Sequence, residues 1–480
     1  MVDYRKKWIV LLSVGMGVFL ATIDGTIVNI GLNTLVKDLN QPLAVVEWVV
    51  LAYMLTLCTF MLSIGRLGDM IGKKKLYLAG LVIFTVGSGL CGISPNIYWL
   101  IGFRVLQAVG GSMLMALGTA LVTEAFPSNE RGKALGIFGT LVSVGIITGP
   151  TIGGLILESL AWHWLFFVNL PVGVAGVIMV SKFVPENQQA SKQKFDFKGA
   201  GILFVSLVSF LIALTIGQYN GFNNVRVYGL FTLFAAAMLL FIRVESRTPY
   251  PMIDLKMFNN RMFSINLVTG FFTFIVSAGI TLIMPLYLQN ILHYSTSVTG
   301  LLMAITPVTV AVIAPFAGSL SDRIGSRLIT MLGLVMLLVG YISLSSLSAE
   351  TSTLGYILRF IPVGIGVGLF QSPNNSAIMG ASARETLGVA SSLLSLTRTI
   401  GQTAGIALLG AFWETRVKAA AGITSIENIT TAPINAQVAG LQDTVHLGTF
   451  LILVALSLSV WALIQWQHAK KTQPTAESEN

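Results

Sequence analysis

The sequence predicts an all-α integral membrane protein: two related six-helix halves plus two extra central helices, about 14 spans in all. Three observations predict it. Only 10% of the 480 residues are charged and 54% are hydrophobic, whereas soluble domains carry roughly 25% charge. So few charges cannot coat a water-facing surface of this size. Apolar runs of the roughly 20 residues needed to cross a bilayer recur along the chain. Short polar motifs also recur, at a nearly constant offset.

The first run, 8–32, follows Arg5, Lys6 and Lys7. It exceeds the roughly 7–15 apolar residues of a signal peptide, so it reads as the first spanning helix. Runs at 45–65, 76–94, 98–123, 133–157 and 163–181 complete a first set of six. Two more, at 199–217 and 226–243, follow a stretch rich in lysine and glutamine. A second set of six lies at 263–289, 298–320, 328–347, 354–374, 386–413 and 445–467. The expected organisation is therefore an N-terminal half (1–181), a central pair with its flanking loops (182–260), a C-terminal half (261–467) and a tail (468–480).

The net charge of +9 does not point to nucleic acid, because the basic residues form no arm or stripe. They lie between apolar runs, and their distribution sets orientation. With the N-terminus inside, twenty-two Lys and Arg fall in cytoplasmic segments and only Lys37, Arg226, Arg416 and Lys418 fall opposite. Both termini are expected in the cytoplasm, in a multi-pass protein of the cell membrane. Cys58 and Cys91 sit inside apolar runs and form no metal-ligand pattern. An N-x-T sequon at Asn428 falls on the long connection before the last span.

The stretch GRLGDMIGKKK, from Gly65 to Lys75, separates the second and third runs. Its three lysines are a topology signal. Its glycines and aspartate repeat: Gly65, Leu67, Asp69 and Gly72 match Gly318, Leu320, Asp322 and Gly325 at an offset of 253. GPTIG at Gly149 aligns with GQTAG at Gly401, and Leu135-Gly136 with Leu387-Gly388, both at 252. Arg104 and Arg359 pair more loosely, each near the start of its own run. The chain reads as two related halves.

GRLGDMIGKKK closely resembles the loop motif between helices two and three of the major facilitator superfamily. FRVLQAVGGS, Phe103–Ser112, resembles its fourth-helix arginine motif, with Ala108 where the family usually has glycine. GIITGPTIGG, Gly145–Gly154, resembles the fifth-helix motif of its proton antiporters, and LATIDGTIVNIGL, Leu20–Leu32, the first-helix motif of its fourteen-span drug:proton antiporters. The resemblance covers nearly the whole chain and points to exporters like QacA and EmrB. One departure is Met70, where the loop motif usually carries a basic residue; the second copy keeps Arg323.

Gly65, Gly72, Gly318 and Gly325 permit tight turns and close backbone approach. Asp69 can either accept hydrogen bonds from a neighbouring helix N-terminus or pair with Arg131, and Asp322 repeats the arrangement. Such contacts form a latch between the halves. Gly145, Gly149, Pro150, Gly153 and Gly154 share one helix, where small residues allow close packing and proline loosens the backbone. The resemblance implies that this helix also seals the exporter against leak.

Charge within a span costs roughly 2.5–3.5 kcal/mol at a helix centre, so ionisable residues there are candidates for function. Asp24, Arg104, Arg359 and Arg398 lie clearly within spans, whereas Glu47, Glu124, Glu158 and Glu414 lie near ends. Asp24 lies about 12 Å from the outer end of its helix and Arg104 about 9 Å from the same side. The two can therefore share one level, with Asp24 as the proton-carrying group and Arg104 as its partner; a static structural ion pair is the competing reading. Asn29, Gln107, Arg359, Gln371, Asn374, Asn375 and Arg398 are candidates to line a cavity or bridge helices. No Walker A, zincin or nucleophile-elbow pattern occurs, so neither ATP nor a catalytic constellation is expected, and no cofactor or metal.

The leading expectation is a proton-coupled exporter of lipophilic drugs or related small molecules, with protons, a small-molecule substrate and the bilayer as partners. Scarce deep carboxylates favour neutral or monocationic substrates over dications. Alternatives on the same scaffold are a proton-driven importer, an exporter of one metabolite or lipid, and a non-transporting membrane sensor. Nothing in the sequence indicates a periplasmic adaptor protein.

Overall fold

The computed structural model describes residues 6–41, 43–186, 195–422 and 432–472, and every regular element among them is helical. Arg5, Lys192, Lys194, the Asn428 sequon and the end of the tail (473–480) lie outside the described residues. The main helices are α1 (Lys7–Asp38), α2 (Trp48–Ile71), α3 (Lys73–Gly92), α4 (Ile97–Ala125), α5 (Arg131–Ser159) and α6 (Asn169–Phe183). The central pair follows, α7 (Phe197–Asn220) and α8 (Val225–Glu245). Then come α9 (Arg261–Leu286), α10 (Ile305–Ile324), α11 (Ser326–Leu344), α12 (Thr353–Gly380), α13 (Leu387–Ala421) and α14 (Ile434–Thr472).

These segments are helical because a spanning chain must satisfy its backbone internally. Their starts are marked by side-chain caps: Asn96 accepts from the Tyr98 and Trp99 amides, Asn260 from Met262 and Phe263, and Ser352 from Gly355. Large apolar side chains such as Leu12, Val86, Leu155, Leu239, Phe316 and Phe450 are exposed. That is expected of surfaces solvated by lipid rather than water.

Twelve helices among the described residues are long and apolar enough to cross a membrane, fewer than the about fourteen spans expected from apolar runs. The expected spans at 133–157 and 386–413 correspond to α5 and α13, continuous helices of 29 and 35 residues that fall outside the twelve. α13 is too polar by composition, since Ser391, Ser392, Ser395, Arg398 and Gln402 interrupt its apolar residues. Its polar face is turned inward: Ser391, Ser392 and Ser395 are buried. In α5, the side chains at 147, 150 and 151 are outside the described set.

α2 joins α3 through one residue, Gly72, at φ +104°, and α10 joins α11 through Gly325 at φ +95°. A side chain is strained at such φ values, so the repeated glycine is what allows each pair to fold back without a longer loop. Apart from α5 and α10, helices α1 to α6 pack mainly on one another, as do α9 to α14. Between the two sets, α5 packs along α10 and α2 along α13. α7 and α8 pack together, and α7 also lies against α2 and α13, beside that seam.

Candidate functional site

Asp24 and Arg104 meet in the interior of the first set of helices. Arg104, on α4, donates to the Asp24 carboxylate on α1, and the two form a salt bridge. Asp24 is 0% and Arg104 1% exposed, so the pair is stable only if its remaining donors and acceptors are satisfied. They are. Arg104 Nε donates to the Val49 carbonyl at 3.0 Å and Nη1 to Gln107 Oε1 at 2.7 Å. Asp24 Oδ1 accepts from Gln107 Nε2 at 2.8 Å and from Asn169 Nδ2 at 3.1 Å. Ser88 bridges the far side: its hydroxyl accepts from Gln107 and Asn169 at 3.1 and 2.9 Å and donates to the Phe166 carbonyl. The guanidinium also lies 4.1 Å from the Tyr53 ring centroid, a favourable cation–π placement. Five helices, α1, α2, α3, α4 and α6, thus converge on one buried charge pair.

The repeated aspartates form a second arrangement. Asp69, near the end of α2, accepts hydrogen bonds from the amides of Gly388 and Val389 at 2.8 and 3.0 Å. Asp322, near the end of α10, accepts from Gly132 and Lys133 at 2.7 and 2.9 Å. Each carboxylate therefore occupies the N-terminus of a helix in the other set, where free amides and the helix dipole favour an anion. The glycines allow this approach. A Cβ on Gly65 would lie 2.6 Å from the Gly388 carbonyl, and one on Gly388 would lie 2.5 Å from the Gly65 carbonyl. Gly318 and Gly132 meet in the same way. The expected Asp69–Arg131 pairing is not formed. Asp69 instead pairs with Lys73 at 2.8 Å, and Lys73 with Glu124 at 2.9 Å; Arg131 begins α5, the helix that Asp322 caps, and its Nε donates to the Phe126 carbonyl.

In α5, Gly145, Gly149 and Gly153 face α1 one turn apart. Their added Cβ atoms would press on Thr22, Thr26 and Ile27, the residues flanking Asp24 on its helix. Gly154 is exposed and has open space beside it. Pro150 lies within the continuous helix, but its side chain is outside the described set.

The cavity candidates separate. Gln371, Asn375 and Arg398 line a cavity between the two sets of helices, together with Thr119, Phe138 and Phe274. Asn374 is 1% exposed and sits against Gly270 instead. Gln107 belongs to the Asp24 network. Asn29 is exposed, and Arg359 lies near the first turn of α12, donating to Ser346 and to its own helix at Gly355. Asn29 and Arg359 do not line this cavity.

The sequence profile of the Major Facilitator Superfamily matches residues 14–406. The chain belongs to the major facilitator superfamily. Members of this superfamily are transporters that bind small molecules within the membrane, and this chain is a multi-pass membrane transporter rather than an enzyme. It is 36% identical over 410 residues to the riboflavin transporter RibZ of Clostridioides difficile, covering 85% of this chain and 89% of that one. It is 32% identical over 412 residues to the multidrug transporter protein MdtP of Bacillus subtilis, covering 86% and 76%. The crystal structure of the human organic anion transporter MFSD10 superposes with a TM-score of 0.65 over 94% of this chain and 99% of that one, at 15% identity. That likeness concerns the fold.

Within this major facilitator fold, sequence reasoning missed Asn169, Ser88 and Tyr53. All three are buried around the ion pair. Asn169 follows the aromatic run Trp162–Phe167, where a polar residue reads as the edge of a span rather than as a contact to α1. The repeat pairs Gly388 with Gly136, not with Gly132, and nothing in the sequence shows the amides of Gly132 and Gly388 meeting Asp322 and Asp69.

Proposed function

We propose that this transporter is a proton-coupled antiporter that exports lipophilic small molecules across the cell membrane by alternating access. In this reading both termini are cytoplasmic, and the chain belongs with the fourteen-span drug:proton antiporters. The observation that carries it is the Asp24 carboxylate, fully buried and held by Arg104, Gln107 and Asn169. A carboxylate in such a site holds its charge only while its donors stay in place. A helix movement that withdraws Arg104 would leave an unpaired buried anion, which takes up a proton. That exchange is what coupling to a proton gradient requires.

The two aspartate caps serve as the cytoplasmic latch. They join residues of 1–181 to residues of 261–467, so inward opening must break four hydrogen bonds from backbone amides. The central pair, within 182–260, rides beside the seam. The similarity to a riboflavin transporter supports a second reading, an exporter of one aromatic metabolite.

Proteoliposomes with an imposed pH gradient test both readings. The panel is lipophilic dyes, antibiotics and riboflavin. Uphill movement of several dyes or antibiotics that a protonophore abolishes is the expected result. Movement of riboflavin alone selects the metabolite reading. Export in cells that stops on ATP depletion, with the proton gradient held constant, refutes secondary transport.

A further inference from the structure

Two cations held inside the protein have a counter-charge. Arg104 has Asp24, and Lys73 has Asp69 and Glu124. Arg398 differs. It lies about 17 Å along α13 from Leu387, near the middle of a hydrocarbon core roughly 30 Å thick. Among the described residues, no side chain or backbone group forms a hydrogen bond or ion pair with its guanidinium. It faces the cavity between the two sets of helices, and no Asp or Glu lines that cavity. The polar side chains of Gln371 and Asn375 on α12 share the wall with it. They too have no protein hydrogen-bond partner among the described residues. Phe138, Phe274 and Leu394 supply apolar surface around them.

An unpaired guanidinium deep in a membrane protein is expensive to maintain. A ligand anion offsets that cost and gains a geometric match, because the planar fork of arginine suits a carboxylate or phosphate bidentately. The two amides can donate to the same oxygens. Apolar walls with a few convergent polar groups are the usual make-up of a small-molecule site. We propose that Arg398, with Gln371 and Asn375, recognises a single anionic group on an otherwise lipophilic substrate. This inference deepens the transport reading by naming a substrate class, and it replaces the neutral or monocationic substrate expected from the scarcity of deep carboxylates. The cavity carries one uncompensated positive charge, which disfavours cations and gives neutral molecules no ionic gain.

The test is equilibrium binding to the purified full-length protein, with no pH gradient present. Three probes share one aromatic body: 1-naphthaleneacetic acid, its neutral amide, and 1-naphthylethylamine. At pH 7 the wild type is expected to bind the acid at least tenfold more tightly than the amide and the amine. Arg398→Gln should bring the three to within about threefold of one another, chiefly by weakening the acid. Arg398→Lys keeps the charge and loses the fork, so it should retain part of the preference; it also serves if Arg398→Gln does not fold. A wild type that binds the acid no more tightly than the amide overturns the proposal, as does an unchanged preference in Arg398→Gln. Because binding is measured without a gradient, an acid preference in a protein that fails to couple to protons refutes the antiport reading and leaves the anion site standing.

Discussion

Asp69→Asn should loosen the end of the bundle where α2 meets α13. The wild-type carboxylate accepts two amide hydrogen bonds, from Gly388 at 2.8 Å and Val389 at 3.0 Å, and pairs with Lys73. Hydrogen bonds to a charged group contribute about 1.5–3 kcal/mol each. Asparagine keeps one acceptor oxygen, loses the charge at a helix N-terminus, and turns an NH2 toward donors. The expected loss is about 2–3 kcal/mol of the free energy favouring closure. At about 1.4 kcal/mol per tenfold, this shifts the closed-to-open ratio by roughly 30- to 150-fold. The assay is spin-label distance measurement between cysteines placed at Ser128 and Glu385, exposed residues just before α5 and α13. The native cysteines are buried and do not compete for label. The wild type should show mainly the short distance. Asp69→Asn should add a longer one, and Asp69→Asn with Asp322→Asn should make the longer one dominant while slowing turnover. A double variant with the wild-type distance distribution and unchanged turnover reduces these aspartates to helix caps without a gating role.

Three further outcomes are expected, two from these contacts and the third from the distribution of Lys and Arg. Gly388→Val places side-chain atoms where the Gly65 carbonyl lies, 2.5 Å from the added Cβ, so the same distance assay should show opening and transport should fall at least tenfold. Asn169→Ala removes one donor to Asp24 and one to Ser88, a loss of about 1–3 kcal/mol; it should lower proton-driven transport severalfold with near-normal membrane insertion, read as initial rate per inserted protein. Single-cysteine labelling from outside intact cells should succeed at Ser425 and fail at Ser191, and the reverse pattern would invert the proposed orientation.

Much of the architecture was legible because the solvent dictates it. A chain with 10% charge has few alternatives to helices in lipid, and the glycine–aspartate repeat marked both one-residue turns. Depth arithmetic along two helices also placed Asp24 and Arg104 at one level, because rise per residue is fixed. Rotation about each helix is what a single sequence leaves open. Asn29 and Arg359 look like cavity residues by depth alone, yet Asn29 is exposed and Arg359 caps local carbonyl and hydroxyl groups at the start of α12. Asn169 and Ser88 look incidental by sequence but point at Asp24 and its partners. The partner of Asp69 was illegible for a related reason. A carboxylate can be satisfied by an arginine or by backbone amides, and only the approach of α13 decides for the amides. Arg398 was visible as a deep charge, but that it has no partner among the described residues became visible only once its neighbours were placed.

The central claim is that Asp24 carries the coupled proton. Its most direct test is proton release from detergent-solubilised protein in weak buffer when a transported member of the dye and antibiotic panel is added. The wild type should acidify the solution on substrate binding. Asp24→Asn should still bind that substrate, release no protons, and lose uphill transport driven by a pH gradient. Proton release and gradient-driven pumping that persist unchanged in Asp24→Asn would contradict the account and leave the Asp24–Arg104 pair as a structural tie between α1 and α4.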